Sequence, residues 1–185
     1  AAHAAGAIKA PPLAVVFLGY KRNQVGHPLD GLGFLTPQRE NRLLNGAQFS
    51  STMFTDRAPD GYVAVTGYFG GTRTPDMAQL PADDLIALAR REFADLIGAY
   101  GEPVVARVKH WPVGLPQYEI GHGERTACLS GAEDRQPGLF LTGNYFDGPS
   151  VTSCIERAMK TARAALGYLK RSDNGAEIQY GLMAQ

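Results

Sequence analysis

The segment from Gly138 to Ser150 has the residue types and spacing to hold an electron-rich group. A short apolar run, GLFLTG, ends at Gly143, the loop NYFDGP turns the chain, and a helical pattern begins at Ser150. The free N–H groups at a helix start, with the positive end of the helix dipole behind them, bind groups such as phosphate. Gly143 and Gly148 would let such a group approach the backbone closely. Most units of this kind are only tight turns, so the local pattern leaves both interpretations open.

The histidines and cysteines indicate no metal site. His27 and His110 have no partner at the spacing of metal ligands, so no zinc site is predicted. Cys128 and Cys154 lie in unlike local sequences, which favours neither a metal site nor a disulfide framework, and a reducing compartment is the default. His122 follows a glycine in a loop, where a structural hydrogen bond is a commoner role than proton transfer. The sequence therefore predicts no particular catalytic acid or base.

Five apolar segments of strand length predict a sheet. Turn residues separate several of them, as in HPLDG at 27–31 and APDG at 58–61, which indicates an antiparallel or mixed arrangement. The predicted strands are Pro12 to Tyr20, Gly33 to Thr36, Ala47 to Phe54, Tyr62 to Phe69 and Val104 to His110. A further short strand is predicted over Gly138 to Gly143.

Apolar residues at three-to-four spacing predict two helices. The first opens at Pro81 with paired acids, which suit the positive end of the helix dipole, and closes at Gly98. The second runs from Ser150 to Lys170, with apolar residues on one face. Helices combined with an antiparallel or mixed sheet place the chain in the α+β class.

The charge balance argues against nucleic acid as a partner. The 185 residues carry 18 basic and 18 acidic side chains, and no run of like charge reaches five residues. The longest apolar stretch, Leu13 to Tyr20, has about eight residues, whereas a bilayer span needs roughly 20. The first ten residues lack a signal-peptide pattern. We therefore expect no nucleic-acid partner and a cytoplasmic location, with peripheral contact to a membrane left open.

Two motifs in order carry a resemblance to a known family. Residues 111–122 read WPVGLPQYEIGH, and residues 138–155 contain GLFLTGN, then Gly148, then Cys154 and Ile155 within the second predicted helix. Upstream, GLGFLTP at 31–37 and YFGG at 68–71 match the same family. With these motifs the chain resembles the C-terminal portion of oxygen-dependent protoporphyrinogen oxidases, which are FAD-containing relatives of the amine oxidases.

The resemblance implies a division of the chain and a missing portion. Residues 1–110 correspond to part of a substrate-binding domain, with a sheet and a helix. Residues 111–185 correspond to the C-terminal part of an FAD-binding domain, with a returning strand and a long helix. The G-x-G-x-x-G fingerprint that binds the ADP half of FAD in this family does not occur here. The resemblance therefore implies that the chain is inactive without an N-terminal portion.

The resemblance also implies a reaction and its site residues. In the family, FAD oxidises protoporphyrinogen IX to protoporphyrin IX in haem biosynthesis, and O2 reoxidises the flavin. The family pattern assigns to the cofactor Trp111, Gly143, Asn144, Pro149, Ser150 and Val151, and to the substrate Leu35 and Tyr68. Asn144 departs from many relatives, which carry an acid near this point, so its contact stays open.

Two other kinds of protein remain as alternatives. One is another flavin amine oxidase or a desaturase-like enzyme, against which the pairing of Pro-Gln-Tyr with Gly-His argues. The other is a non-enzymatic fragment that binds a tetrapyrrole or self-associates as a homodimer through an open sheet edge. Activity on amines would favour the first, and tetrapyrrole binding without turnover would favour the second.

Overall fold

The computed structural model describes residues 1–182, with side chains described through residue 171. The chain forms two compact units, which are residues 11–114 and residues 1–10 together with the chain from 115 onward. We call the first the sheet unit and the second the helical unit. The strands are β1 Leu13–Lys21, β2 Gly33–Leu35, β3 Leu44–Gln48, β4 Tyr62–Gly70 and β5 Val105–Trp111. The α-helices are α1 Ala2–Gly6, α2 Ser50–Met53, α3 Ala82–Ile97, α4 His122–Arg135 and α5 Val151–Leu182.

The five strands form one sheet in the order β2-β3-β4-β1-β5, and every neighbouring pair is antiparallel. This arrangement confirms the predicted α+β class. Strand β1 lies near the centre and shows the alternation expected of a sheet with one covered face. Its even-numbered residues from Ala14 to Tyr20 are buried, whereas Leu13, Val15 and Phe17 are only partly buried.

Helix α3 covers the buried face of the sheet. Leu85, Ala89 and Phe93 recur at four-residue spacing and are fully buried in the core cluster with the inner residues of β1 and β4. The helix ends at Gly98, whose φ of 63° is the left-handed conformation that glycine adopts without a Cβ penalty. The predicted helix and the predicted strands β1, β2, β4 and β5 are therefore confirmed.

The predicted strand over Ala47 to Phe54 is wrong in its second half. Strand β3 ends at Gln48, and the chain turns into the short helix α2 at Ser50. Hydroxyl side chains explain the change, because they compete with the strand ladder for hydrogen bonds. Ser50 Oγ lies 2.7 Å from Thr66 Oγ1, and Thr52 Oγ1 donates to the carbonyl of Leu29 at 2.7 Å.

The helical unit departs further from prediction. Helix α4 was not predicted, because only Leu129 and Ala132 on it are buried and its apolar periodicity is weak. The predicted strand from Gly138 to Gly143 is wrong, since this segment is irregular. A strand needs a neighbour to pair with its backbone, and none pairs with it in the described part of the chain. Helix α5 confirms the second predicted helix and extends beyond Lys170.

Within residues 1–182, no helix combines the length and apolar character needed to span a membrane.

The core position of Phe93 provides a test of the sheet unit. We expect Phe93→Ala to lower the free energy of unfolding by about 3–5 kcal/mol, because it opens a cavity under β1 and β4. Arg91→Ala on the exposed side of α3 is the control and should change it by less than about 0.5 kcal/mol. Chemical denaturation followed by circular dichroism measures both. Equal effects of the two substitutions would contradict the packing described here.

Candidate functional site

One row of residues runs across all five strands on the face of the sheet opposite the core, which we call the uncovered face because α3 does not pack on it. The strand register pairs Leu35 with Gly46, Gly46 with Tyr68, Tyr68 with Val15, and Val15 with Lys109. Directly paired residues of antiparallel strands project from the same face. Val15 lies between the buried Ala14 and Val16 on β1, so this face is opposite the core. We call these five residues the outer row.

Gly46 has no side chain and lies in the outer row between Leu35 and Tyr68. A Cβ placed on Gly46 would lie 2.6 Å from the carbonyl oxygen of Phe34 and 2.9 Å from Cδ2 of Leu35. The Leu35 side chain thus leans over Gly46, where any larger residue would displace it. Leu35 is nevertheless 86% exposed, which makes it a large apolar side chain with free surface.

Tyr68 presents a half-buried ring with a fixed hydroxyl group. Its Oη donates a hydrogen bond to Gln48 Oε1 at 2.5 Å. Burial raises the pKa of the Tyr68 hydroxyl, so the group is a neutral donor at neutral pH. The adjacent Phe69 is fully buried in the core, and Phe34 packs edge-to-face on Phe49 with ring centroids 6.0 Å apart. Leu35 and Tyr68 therefore share the uncovered face, while their phenylalanine neighbours face the core.

Trp111 ends β5 on the same face as the outer row. It pairs with Leu13 and is 48% exposed. The ammonium of Lys109 lies 5.0 Å from the centroid of its ring, which is a cation–π contact between residues two apart on one strand. Trp111 belongs to the sheet unit, whereas the other predicted cofactor residues belong to the helical unit.

In the helical unit, two stacked side chains hold the loop that precedes α5. The rings of Tyr118 and His122 stack with centroids 4.3 Å apart. Tyr118 Oη donates to the carbonyl of Asn144 at 2.7 Å, and His122 Nε2 donates to the carbonyl of Tyr145 at 2.7 Å. Burial raises the pKa of the Tyr118 hydroxyl, which keeps it protonated as a donor. Both side chains thus position backbone, as the sequence favoured for His122.

Arg157 of α5 holds the other side of this loop. Its guanidinium lies 3.9 Å from the centroid of the Phe146 ring. Nη2 donates to the carbonyl of Leu141 at 3.3 Å, and Nη1 lies 3.5 Å from Asp147 Oδ2. The Arg157 side chain is 13% exposed, and its Nε is buried without a hydrogen-bond partner in the described part of the chain.

The start of α5 has the geometry of a capped helix N-terminus. Ser150 Oγ accepts a hydrogen bond from the N–H of Ser153 at 3.1 Å, so Ser150 caps the helix that Pro149 introduces. Helix geometry leaves the N–H groups of Val151 and Thr152 without intrahelical acceptors. Val151 is 76% exposed, so this end is open to a ligand. The site therefore fits an electron-rich group such as the edge of a flavin ring.

The loop before α5 requires glycine at positions 143 and 148 for two different physical reasons. Gly148 has a φ of 125°, a conformation that side chains disfavour. A Cβ on Gly143 would collide with the ring of Tyr145, which already covers that position. The position of the Tyr145 ring explains why residue 143 is a glycine, and the approach of a ligand to Gly143 stays a prediction.

Comparison with known proteins defines the class. The family model for flavin containing amine oxidoreductases matches residues 1–166. The chain therefore belongs to this family of flavin-dependent oxidoreductases.

Particular relatives sharpen the likeness and confirm the resemblance seen in the motifs. The chain is 32% identical to mitochondrial protoporphyrinogen oxidase of Nicotiana tabacum, over 86% of this chain and 32% of that protein. It is 26% identical to coproporphyrinogen III oxidase of Bacillus subtilis, over 85% of this chain and 34% of that protein. The chain thus spans about a third of the length of these curated relatives.

A solved structure supports the fold. The chain superposes with a TM-score of 0.73 on a crystal structure of an Exiguobacterium protein assigned as a protoporphyrinogen oxidase. The match covers 88% of this chain and 36% of that one at 19% sequence identity. At this identity the likeness concerns the fold alone.

Sequence reasoning missed three residues that the structure makes prominent. Gly46 and Lys109 join Leu35 and Tyr68 only through strand register, which no local pattern contains. Extending the alternation of the predicted strand at 104–110 by one residue would have put Lys109 and Trp111 on one face. Arg157 lies on a predicted helix, but its partners on the loop could not be found from spacing.

Arg157→Met tests how the loop before α5 is held. It keeps most of the apolar stem and removes the guanidinium, so we expect about tenfold faster hydrogen exchange over residues 141–147. Arg163→Met, an exposed arginine on the same helix, is the matched control and should leave exchange unchanged. Hydrogen–deuterium exchange by mass spectrometry makes the measurement. Unchanged exchange in Arg157→Met would contradict the role given to the guanidinium.

Proposed function

We propose that this chain forms part of an FAD-dependent oxidase that converts protoporphyrinogen IX to protoporphyrin IX with O2. The observation that carries the proposal is the outer row, in which Leu35 and Tyr68 share one open face of the sheet on either side of Gly46. In this proposal residues 1–110 belong to a substrate-binding domain and residues 111–185 to an FAD-binding domain.

The outer row has the dimensions and chemistry to receive a flat macrocycle. Neighbouring strands lie about 4.8 Å apart, so five strands give a row about 19 Å long. Its apolar members, chiefly the exposed Leu35, would remove ring surface from water. Tyr68 stays neutral and held by Gln48, so it offers a ring face without introducing charge.

The cofactor proposal rests on the start of α5. FAD, when bound, supplies the hydride acceptor and the reaction with O2. The N–H groups beyond Pro149 and Ser150, notably that of Val151, would donate to the electron-rich edge of the ring. Asn144, held through its carbonyl by Tyr118, would lie with Gly143 along the more distant part of the cofactor. Trp111 would lie near the ring.

The ADP half of FAD needs a binding element outside these 185 residues. No G-x-G-x-x-G fingerprint occurs in the sequence. We propose that a portion corresponding to the rest of the longer relatives supplies it. We also propose that the protein is cytoplasmic. Peripheral contact with a membrane surface and formation of a homodimer are further parts of this proposal.

Coproporphyrinogen III is the second candidate substrate, because the Bacillus subtilis relative carries that substrate in its name. It shares the macrocycle and the oxidation but has more carboxylates. The same apolar row would receive either ring.

The first test is turnover by the flavin-loaded protein that carries this chain. We expect a flavin absorption spectrum, porphyrin fluorescence rising with either porphyrinogen, and H2O2 released in step with O2 consumption. The ratio of kcat/KM for the two porphyrinogens selects the substrate. Oxidation of amines with no oxidation of porphyrinogens would overturn the proposal, and binding without turnover would leave a tetrapyrrole-binding protein instead.

The second test removes the apolar surface of the outer row at its β2 end. Leu35→Asn should raise KM for the porphyrinogen about tenfold with little change in kcat, because it removes binding common to substrate and transition state. Leu32→Asn is the control, since Leu32 is also exposed, at 68%, but lies outside β2. Steady-state kinetics with FAD-saturated protein measures both. If Leu35→Asn and Leu32→Asn had the same KM, Leu35 would not be a substrate-binding residue.

A further inference from the structure

Lys109 brings a cation to the end of an otherwise uncharged row. Strand β5 is the last strand of the sheet in the described part of the chain, and Lys109 pairs with Val15 in register with Tyr68. The Lys109 backbone therefore lies two strand spacings, or about 10 Å, from that of Tyr68. The outer row thus consists of an apolar stretch with one positive charge at its β5 end.

The Lys109 ammonium is oriented but not neutralised. It lies over the Trp111 ring at 5.0 Å from the centroid, on the face that the outer row shares. None of the salt bridges found among the described residues includes Lys109. Arg107, the other cation on this face of β5, instead turns to its own backbone and donates to the carbonyl of Ala106 at 2.8 Å. Of the two cations on this face of β5, Lys109 is the one whose charged group has neither a hydrogen bond nor an ion pair among the described residues.

A lysine on an edge strand also has a simpler explanation. Charged side chains on edge strands discourage pairing with other chains, and lysine is common there. That explanation requires only a charge on β5, and Arg107 already provides one. It does not require the register with Leu35 and Tyr68 or the orientation by Trp111.

We propose that Lys109 binds a propionate carboxylate of the tetrapyrrole and so fixes how the macrocycle lies along the outer row. The inference rests on the proposed function and adds a specificity-determining residue to it. A ring centred over Tyr68 and Val15 would extend its acid side chains toward β5, where the ammonium lies. The same ring would cover the row and exclude water, which strengthens a charge contact that is weak when fully exposed.

In this proposal Lys109 contacts a propionate, which lies away from the atoms that are oxidised. Its position determines which kinetic constant a substitution changes. Its interaction with the carboxylate is the same in the ground state and in the transition state, so it contributes to KM and little to kcat. The effect must depend on the carboxylate, because an ester carries no negative charge.

The test is binding of mesoporphyrin IX and of its dimethyl ester to the flavin-loaded protein that carries this chain. Four versions are compared in the same detergent: unchanged, Lys109→Met, Lys109→Arg and Lys21→Met. Lys21 is the matched control, because it lies on the same face at the far end of β1, about 20 Å along the strand from Val15. Fluorescence titration gives Kd, and KM and kcat for protoporphyrinogen IX are measured in parallel.

We expect Lys109→Met to weaken binding of the diacid about tenfold, the usual scale of one charge-assisted hydrogen bond. Binding of the diester should stay unchanged, Lys109→Arg should retain most of the affinity, and Lys21→Met should have no effect. KM should rise in step with Kd while kcat holds.

Three other results of these titrations would contradict the inference about Lys109. Equal diacid affinity in Lys109→Met and the unchanged protein would overturn the inference and leave Lys109 as an edge-strand charge. Equal weakening for diacid and diester would overturn it in favour of packing by the lysine stem. If the unchanged protein neither binds these porphyrins nor oxidises the porphyrinogen, the proposed function fails and the inference fails with it.

Discussion

Packing of helix α3 against one face of the antiparallel sheet is the constraint on which the sheet unit depends. Helix α3 buries Leu85 and Phe93 against the inner residues of β1 and β4, and this apolar burial stabilises the unit. Because successive strand residues alternate, the same strands must present a second set of side chains to the opposite face. That second face holds Leu35, Tyr68 and Trp111, which make it partly apolar.

A different constraint shapes the helical unit. The chain from the end of α4 to the start of α5 is irregular, so its backbone polar groups lack a helix or strand to satisfy them. Side chains supply partners instead. Tyr118 and His122 donate to consecutive carbonyls, and Arg157 donates to another. These contacts hold the segment that leads into the capped N-terminus of α5.

The two units offer complementary chemistry to a flavoenzyme. The sheet unit presents an apolar surface with a cation at one edge, which suits a flat ligand carrying acid groups. The helical unit presents backbone donors at a helix start, which suit an electron-rich cofactor edge. The redox chemistry belongs to the cofactor, and the protein groups bind, orient and exclude water. The chain belongs to the flavin containing amine oxidoreductases, and the division of roles between the two units is part of our proposal.

Much of the fold could be predicted because its signals are local. The strand of β1 and the helix α3 follow from alternation and from three-to-four spacing over long segments. The second half of the predicted strand at Ala47 to Phe54 failed because hydroxyl groups found partners across the fold. The predicted strand at Gly138 to Gly143 failed because strand formation requires a paired neighbour, which a local pattern cannot supply.

The sequence by itself determined the family, the α+β class and the candidate residues Leu35, Tyr68 and Ser150, because motifs and periodicity are properties of neighbouring residues. Only the tertiary structure decided which residues share a surface. Gly46 and Lys109 join Leu35 and Tyr68 through the register of five strands, and a one-residue shift in pairing would send a strand's side chains to the other face. That register depends on long-range burial against α3, which acts between residues far apart in the chain.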